Sequence, residues 1–269
     1  ARLLADAVIS ERAATTGGHR TLDYIPGANL LGAAAAQLYN KDQAVSFQLF
    51  HSGKVRFGNA YPLSPTNVPT LPVPLCWHLP KGAEDSDYKN VRNLIHASKE
   101  QFDEWDNRGE QQKQLRSGYL SPSGEKVTPS KNYHLKTAID RTKQGMADEA
   151  QLFGYQSLAA GSCWYFSISF DDDLNQQLVN QVADAIRGTI RVGRSRSAEY
   201  GLLAVQRTEI APFQFSPVAD DRLLLYCLSD LALTDPLTGI STLIPDPAAH
   251  FGLAEGSFNA GRSYIRVRN

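Results

Sequence analysis

The chain has 269 residues, with 27 Lys or Arg against 28 Asp or Glu and a formal net charge of −1. Hydrophobic residues make up 42% and charged residues 20%, a composition that is ordinary for a globular protein and excludes disordered or collagen-like structure. The near-zero charge excludes the globally basic profile of a free-standing nucleic-acid binder, so any anion site must be local.

The three cysteines, Cys76, Cys163 and Cys227, are widely spaced in apolar surroundings. An odd number without ligand spacing predicts reduced core thiols rather than disulfide bridges or a zinc site. No run reaches 18 apolar residues, so no membrane-spanning segment is predicted. We therefore expect a cytoplasmic protein with no membrane partner.

The first elements in chain order are a strand and a helix. LLADAVIS at 3–10 is rich in apolar and β-branched residues and predicts a strand, which a small, polar connection follows. IPGANLLGAAAAQLY at 25–39 predicts a helix. Pro26 and Gly27 favour a turn there, Asn29 can cap the helix, and the alanine-rich run has a high helix propensity.

The middle of the chain is less regular. FQLFHSGKVRFGNAYPL at 47–63 contains an alternating stretch and several glycines, which predicts a bent strand or hairpin. Residues 81–130 are the most polar part of the chain and are predicted to be a surface insertion. That insertion carries Trp105 and Tyr119 among its charges, so it is either a docking surface for a neighbouring subunit or a disordered loop.

Core-like patterning returns in the last third. SCWYFSISF at 162–170 predicts a half-buried strand, DDDLNQQLVNQVADAI at 171–186 a helix, and residues 202–207 a further strand. The resulting order of strand, helix, strand, insertion, strand, helix and strand is the βαββαβ pattern of a ferredoxin-like (RRM-like) α+β sandwich.

GRSRSAEYG at 193–201 lies between the second helix and the last strand. Its glycines allow positive φ angles, its N–H groups can surround an anion, and arginines match phosphate oxygens. From 187 to 207 there are five arginines and a single acid, Glu199, which gives a local net charge of about +4. This loop is the predicted anion site.

Four segments resemble, in the same order, the CRISPR-associated RAMP superfamily, whose subunits assemble on guide RNA. TLDYIPGANLLGAAAAQLY is similar to its proline-glycine turn and first helix, and HSGKVRFGNAYPL to one of its strands. TAIDRTKQGMADEAQLFGYQSLAAGSCWYFSISF resembles the segment entering its third strand. GRSRSAEYG resembles its glycine-rich loop before the last strand. The combination is most similar to the large type III-D subunit that binds the 5′ handle of the crRNA.

The resemblance implies a ferredoxin-like RAMP domain over residues 1–210 with the insertion at about 81–130. Residues 211–269 are then the start of a second RAMP-type domain, because RLLLYCLSDLALTD at 222–235 is similar to the first strand of that domain. Since members of this branch continue through a whole second domain, we expect the chain to be incomplete.

The implied function is that of a non-catalytic crRNA-binding subunit of a type III effector complex, acting in RNA-guided antiviral defence. Its partners would be crRNA, the large signalling subunit and the RAMP backbone subunits, with target RNA contacted indirectly. No cofactor or metal is predicted. The residues predicted to bind RNA are Gly193, Arg194, Ser195, Arg196, Ser197, Tyr200 and Gly201 in the loop, His19 and Arg20 in the polar connection, and Lys54, Arg56 and Tyr61 on the second strand.

Two enzymatic alternatives stay open at this point. RAMP backbone subunits cleave bound target RNA with a loop aspartate that positions a metal-bound water, and Asp23, beside the IPG turn, is the candidate for that role. Processing endonucleases use a histidine as general base, for which His19 is the candidate. The triplet Asp171–Asp173 is predicted to form a strand-to-helix turn rather than an Mg²⁺ site.

Overall fold

The computed structural model describes residues 1–11, 19–39, 42–84, 90–95, 97–139, 147–195, 199–209, 225–229, 231–242 and 245–252. Arg196 and Ser197 of the predicted RNA-binding loop lie outside these ranges. So do residues 222–224 and 230 of the strand predicted at 222–235, and the described part of that segment is a strand only at Leu233–Thr234.

Within these ranges the helices are α1 (Gly27–Leu38), α2 (Gln43–Phe50), α3 (Lys99–Asn107), α4 (Gln176–Ile186) and α5 (Pro247–Phe251). The strands are β1 (Arg2–Leu3), β2 (Val55–Phe57), β3 (Tyr61–Pro62), β4 (Leu71–Pro72), β5 (Trp77–Pro80), β6 (Arg92–Asn93), β7 (Gln112–Gln114), β8 (Tyr119–Leu120), β9 (Lys126–Val127), β10 (Lys131–Ile139), β11 (Ala147–Leu158), β12 (Trp164–Tyr165), β13 (Ile168–Phe170), β14 (Gly188–Arg191), β15 (Leu202–Val205), β16 (Leu233–Thr234) and β17 (Ser241–Thr242). The fold is mixed α/β with small sheets.

The chain divides into two compact units. The first unit comprises residues 1–72 and 118–216, and the second comprises 73–117 and 217–269. The predicted insertion at 81–130 therefore overlaps the second unit as far as residue 117, whereas residues 118–130 belong to the first.

The first unit is built on short antiparallel pairings. β15 lies between β1 and β14, with Leu3 opposite Leu203 and Ile190 opposite the same residue. β2 pairs with β13, β3 with β12, and β10 with β11, which forms a long two-stranded ribbon. Among the described residues these pairings do not join into one four-stranded sheet, so the ferredoxin-like arrangement stays a prediction.

Helices α1 and α4 pack against each other, and the Gln37 side chain donates a 2.8 Å hydrogen bond to the Ala185 carbonyl. The small residues of α1 allow this close approach. The buried face of α4 is the one that the 3.6-residue periodicity predicts; it consists of Leu178, Val182, Ala185 and Ile186, with Leu174 just before the helix. Most of the core lies around Trp164, which is almost fully buried.

Several local predictions are wrong. The strand predicted at 3–10 is a strand only at its start, as β1, with isolated bridges at Ala7, Val8 and Ser10. The strand predicted at 162–170 is divided into β12 and β13, which pair with different strands.

Residues 47–50 are the end of helix α2 rather than part of a strand, because the Asp42 side chain accepts hydrogen bonds from the Ala44 and Val45 amides and so starts a helix. Asn29 does not cap α1, since it lies inside the first turn and Pro26 occupies the N-cap position.

The second unit has its own small sheet, in which β5 lies between β6 and β7. Helix α3 begins with a capping box formed by Ser98 and Gln101, and the Arg92 guanidinium lies 4.4 Å from the centre of the Trp105 ring. Farther along the chain, β16 pairs with β17 in a hairpin.

None of the helices in the described ranges is long and apolar enough to cross a membrane. The three cysteines are unpaired, with Cys76 and Cys163 half-buried and Cys227 exposed. The expectation that all three are core thiols is therefore wrong.

Candidate nucleic-acid interface

The glycine-rich loop joins β14 to β15 and is hydrogen-bonded to the N-terminal strand segment. The Arg194 amide donates to the Val8 carbonyl at 2.8 Å, and the Gly201 amide donates to the Asp6 carbonyl at 2.7 Å. The Val192 amide donates a hydrogen bond to the Gly201 carbonyl at 2.9 Å, which closes the base of the loop. Two of the amides expected to face an anion therefore bind the chain's own carbonyls.

Gly193 and Gly201 have φ angles of +79° and +75°. A Cβ atom at Gly193 would collide with the Val8 carbonyl, and one at Gly201 would collide with the Val192 carbonyl. Both glycines are thus required by the close approach of backbone to backbone, before any ligand is considered.

A cleft of about 390 Å³ lies beside this loop. Its lining residues come from three segments: Ile9 and Ser10 in the segment after β1, Pro26, Ala28, Asn29 and Gly32 at the start of α1, and Gly193 and Arg194. Two segments with a distinctive sequence, the IPG turn and the glycine-rich loop, therefore meet at one site.

The cleft is suited to an anion. The first turn of the 12-residue helix α1 contains no acidic residue, and its N-terminus carries a partial positive charge. Arg194 is exposed at the same cleft. Ser10 also lines it, and its hydroxyl is inaccessible to solvent with no hydrogen-bond partner in the described part of the chain. A buried hydroxyl without a partner is a group that a ligand can satisfy.

His19 is not the solvated loop residue that the sequence suggests. It is only 6% exposed, and its ring stacks on Tyr155 with the centroids 4.9 Å apart. Burial, with the nearby charge of Arg194 as a second cause, lowers the pKa of His19, so the ring is neutral at neutral pH. Its Nδ1 atom has no partner among the described residues, whereas Arg20 beside it is exposed.

Asp6 is a residue that sequence reasoning missed. Its carboxylate accepts hydrogen bonds from Asn132, His134 and Ser157 at 2.8–2.9 Å and from the Ala160 amide at 2.9 Å. Burial alone would raise the pKa of Asp6, but these four donors outweigh it and lower the pKa to about 2. Because the donors lie more than 120 residues away in the chain, no local sequence pattern predicts this network.

Two tyrosines predicted to contact RNA are buried instead. Tyr200 is 5% exposed and packs near Tyr155 and His134, with ring centroids 6.2 and 5.9 Å apart. Tyr61 is 8% exposed and lies 5.5 Å from the Tyr119 ring. Neither ring has the free face that stacking on a base requires.

The charges of the second strand are engaged in ion pairs. Lys54 pairs with Asp173 at 2.5 Å and Arg56 with Asp171 at 2.6 Å. Asp171 and Asp173 therefore neutralise the two basic side chains at the start of β2, while Asn175 caps helix α4. Lys54 and Arg56 therefore have carboxylate partners within the chain, and their role in RNA binding stays a prediction.

Asp23 is half-buried, and the Tyr119 hydroxyl donates a hydrogen bond to its carboxylate. Burial first, and then the charge of Asp23, raise the pKa of Tyr119 far above its usual range. Across the described ranges, no group of three His, Cys, Asp or Glu side chains is arranged to hold a metal ion. Asp23 thus acts as the acceptor for a buried tyrosine.

The structure separates the residues predicted to bind RNA into those near the cleft and those away from it. Gly193, Arg194 and Ser195 lie together at or next to the cleft, and Gly201 closes the loop. His19 lies behind them within range of the Arg194 charge, whereas Lys54, Arg56 and Tyr61 belong to the ion-paired strand and the tyrosine cluster.

No protein-family model matches the chain, and no curated protein matches it. A similar solved structure is a chain of Type III-B Cmr-beta bound to cognate target RNA and AMPPnP, at 13% identity with a TM-score of 0.44. The match covers 78% of this chain and 62% of that one, so the chain spans less than two thirds of that relative. Cmr4 is similar at 11% identity with a TM-score of 0.32, covering 75% of this chain and 94% of Cmr4.

Proposed function

We propose that this chain is a guide-RNA-binding subunit of a type III CRISPR effector complex that holds the repeat-derived 5′ handle and does not cleave RNA. The observation that carries the proposal is the convergence of the IPG turn and the glycine-rich loop at one cleft. About 165 residues separate the two segments in the chain. Each of them resembles a segment of the RAMP proteins, and their meeting at one cleft supports a common ligand.

The chemistry of the cleft supports a phosphate ligand. A helix N-terminus, an exposed arginine and a buried hydroxyl together offer positive potential and hydrogen-bond donors to phosphate oxygens. The Arg194 and Gly201 amides already bind carbonyls, and the Gly27 and Asn29 amides at the start of α1 donate to Asn59 and Pro26. The arginine side chain therefore supplies most of the attraction.

The non-catalytic assignment rests on the two candidates for catalysis. Asp23 is occupied by Tyr119, and His19 is buried against Tyr155 with its pKa lowered. A general base must reach its proton and have a pKa near the working pH. The partners proposed for the assembled protein are crRNA, the large signalling subunit and the backbone subunits.

The test is the affinity for guide RNA of Arg194→Ala at several salt concentrations. We expect weaker binding and a salt slope lower by about 0.7 for each phosphate that the variant no longer neutralises. Arg116→Ala removes an exposed arginine from the second unit and is the matched control. An unchanged slope in Arg194→Ala would contradict the assignment of the cleft.

A separate experiment tests whether the chain binds the 5′ handle of the guide RNA. Guide RNAs with and without the repeat-derived 5′ handle are titrated against the parent chain and Arg194→Ala. We expect the parent to prefer the RNA with the handle and the variant to lose that preference. Equal affinity of the parent for both RNAs would leave an RNA-binding protein without the handle function.

A further inference from the structure

A second, larger groove of about 1140 Å³ lies in the first unit and shares no residue with the cleft. Its walls are the outer side of α4, the segment 163–170, and the segment 204–208 at the end of β15. Pockets that bury a drug-sized ligand have volumes of about 300–1,000 Å³, so this groove has room for more than one nucleotide.

The charged side chains in the described lining of this groove are all basic. Its described lining includes Arg2, Arg187 and Arg207, all exposed, and no aspartate or glutamate. The chain as a whole has slightly more acidic than basic residues, so an acid-free lining of this size is a local departure. Asp184, outside the lining, lies 3.7 Å from Arg187. Because Asp184 partly neutralises Arg187, most of the positive charge of the groove comes from Arg2 and Arg207.

The other lining groups suit nucleobases. Phe166 and Phe170 are half-buried, so part of each ring contacts the core and part faces the groove. Gln206 places an exposed amide along the same walls, where it can donate to and accept from base edges. Asn180 is also exposed there, and its amide NH₂ can donate while its oxygen accepts from Gln176. Grooves that bind single-stranded nucleic acid combine these features, with basic side chains along the backbone and aromatic rings under the bases.

We infer that this groove binds a segment of single-stranded RNA, separately from the cleft at the glycine-rich loop. An acidic protein segment would match the arginines but would leave the half-exposed rings and base-sized amide sites unused. The inference deepens the proposed RNA-binding function and rests on it for the class of ligand. It does not depend on the 5′ handle.

The experiment uses the full chain and an oligouridine that lacks any repeat-derived sequence and carries 4-thiouridine for photocrosslinking. We expect Arg2→Ala combined with Arg207→Ala to weaken oligouridine binding about 10-fold at moderate salt and to lower the salt slope by about 1.4, because two phosphates are no longer neutralised. Arg116→Ala should bind as the parent does. Crosslinks in the parent should map to peptides containing residues 163–170 or 204–208.

The outcomes separate this inference from the proposed function. Loss of oligouridine binding in the Arg2 and Arg207 double variant, with handle RNA unaffected by Arg194→Ala, supports the groove and contradicts the handle assignment. The opposite pattern contradicts the groove alone. Crosslinks confined to other peptides, or no binding of oligouridine by a parent chain that binds handle RNA, would overturn the groove as an RNA site.

Discussion

Asp6 joins three parts of the chain that are far apart in sequence. Its carboxylate accepts from residues 132–160, while its backbone carbonyl accepts from Gly201. The side chain is only 16% exposed, so these bonds are shielded from bulk water. Asp6 therefore fixes the glycine-rich loop relative to the ribbon of β10 and β11.

The first prediction concerns Asp6→Asn. The pKa of Asp6 is about 2 in the folded chain against a reference value of 3.8, and each unit of difference corresponds to about 1.4 kcal/mol. The carboxylate thus contributes about 2 kcal/mol of stability above pH 3.8, and the contribution is lost as the pH falls through 2. The variant should lose that amount at neutral pH and progressively less in acid.

Urea unfolding of the parent chain and Asp6→Asn across this pH range measures the difference. Asp172→Asn, an exposed aspartate in the turn before α4, is the control for removing a charge. A loss of stability that is equal at every pH would show that the introduced asparagine side chain destabilises the fold through its shape rather than through the missing charge.

The second prediction concerns Asp23. Asp23→Ala leaves the buried Tyr119 hydroxyl without its acceptor, which costs about 1–3 kcal/mol. Tyr119→Phe removes the donor instead and should cost less. The double variant should therefore be more stable than the sum of the two single losses predicts.

Target RNA cleavage by the assembled complex distinguishes the structural role of Asp23 from the catalytic one. We expect Asp23→Ala to leave cleavage intact in complexes that assemble normally. Loss of a single cleavage position would favour the metal-dependent backbone subunit over the handle-binding subunit. Tyr119→Phe is the control, because it perturbs the same bond and keeps the carboxylate.

At the scale of elements, the glycine-rich loop has a stability test of its own. Gly201→Ala combines a strained positive φ with a collision against the Val192 carbonyl. Gly53→Ala has nearly the same φ, +78°, but its Cβ would meet open space. The strain alone costs about 1 kcal/mol, so Gly201→Ala should be destabilised by clearly more than Gly53→Ala.

Thermal or urea unfolding of the two variants provides the comparison. Equal losses of stability in the two variants would mean that the backbone around Val192 moves to accommodate the added Cβ atom. The loop would then be more flexible than its hydrogen bonds indicate. RNA affinity of Gly201→Ala is informative only where the variant remains folded, because the same glycine supports the fold and the site.

Helix α4 could be predicted from the sequence because its apolar residues recur at the helical period and its end coincides with Arg187 and Gly188. Helix α2 could not. Its eight residues are too short for a clear period, and the decisive contact is a single capping side chain, Asp42. Short elements depend on one or two such contacts, which composition does not reveal.

At the scale of the molecule, composition alone does not give the boundary between the two compact units near residue 118. Tyr119 and Leu120 form strand β8 of the first unit, although the surrounding residues are as polar as the insertion. Their place is decided by contacts with β4 and with the tyrosine cluster, which are distant in sequence.

The loop and the IPG turn of the candidate site could also be predicted, because glycine, proline and arginine leave a visible pattern. Burial of His19, Tyr61 and Tyr200 could not, since a single aromatic residue in a polar stretch looks the same whether it faces water or the core. The network around Asp6 depends on side chains brought together by the ribbon, and no spacing rule reaches that far.

The pairing of β1 with β15 has a consequence for how the chain is made. Arg2 and Leu3 find their partners at Ala204 and Leu203, so the first strand emerges from the ribosome about 200 residues before its neighbour. At synthesis rates of about 5–20 residues per second, that interval is roughly 10–40 s. During that interval Leu3, which is fully buried in the folded chain, lacks its β15 partner and is open to a chaperone that binds the nascent chain.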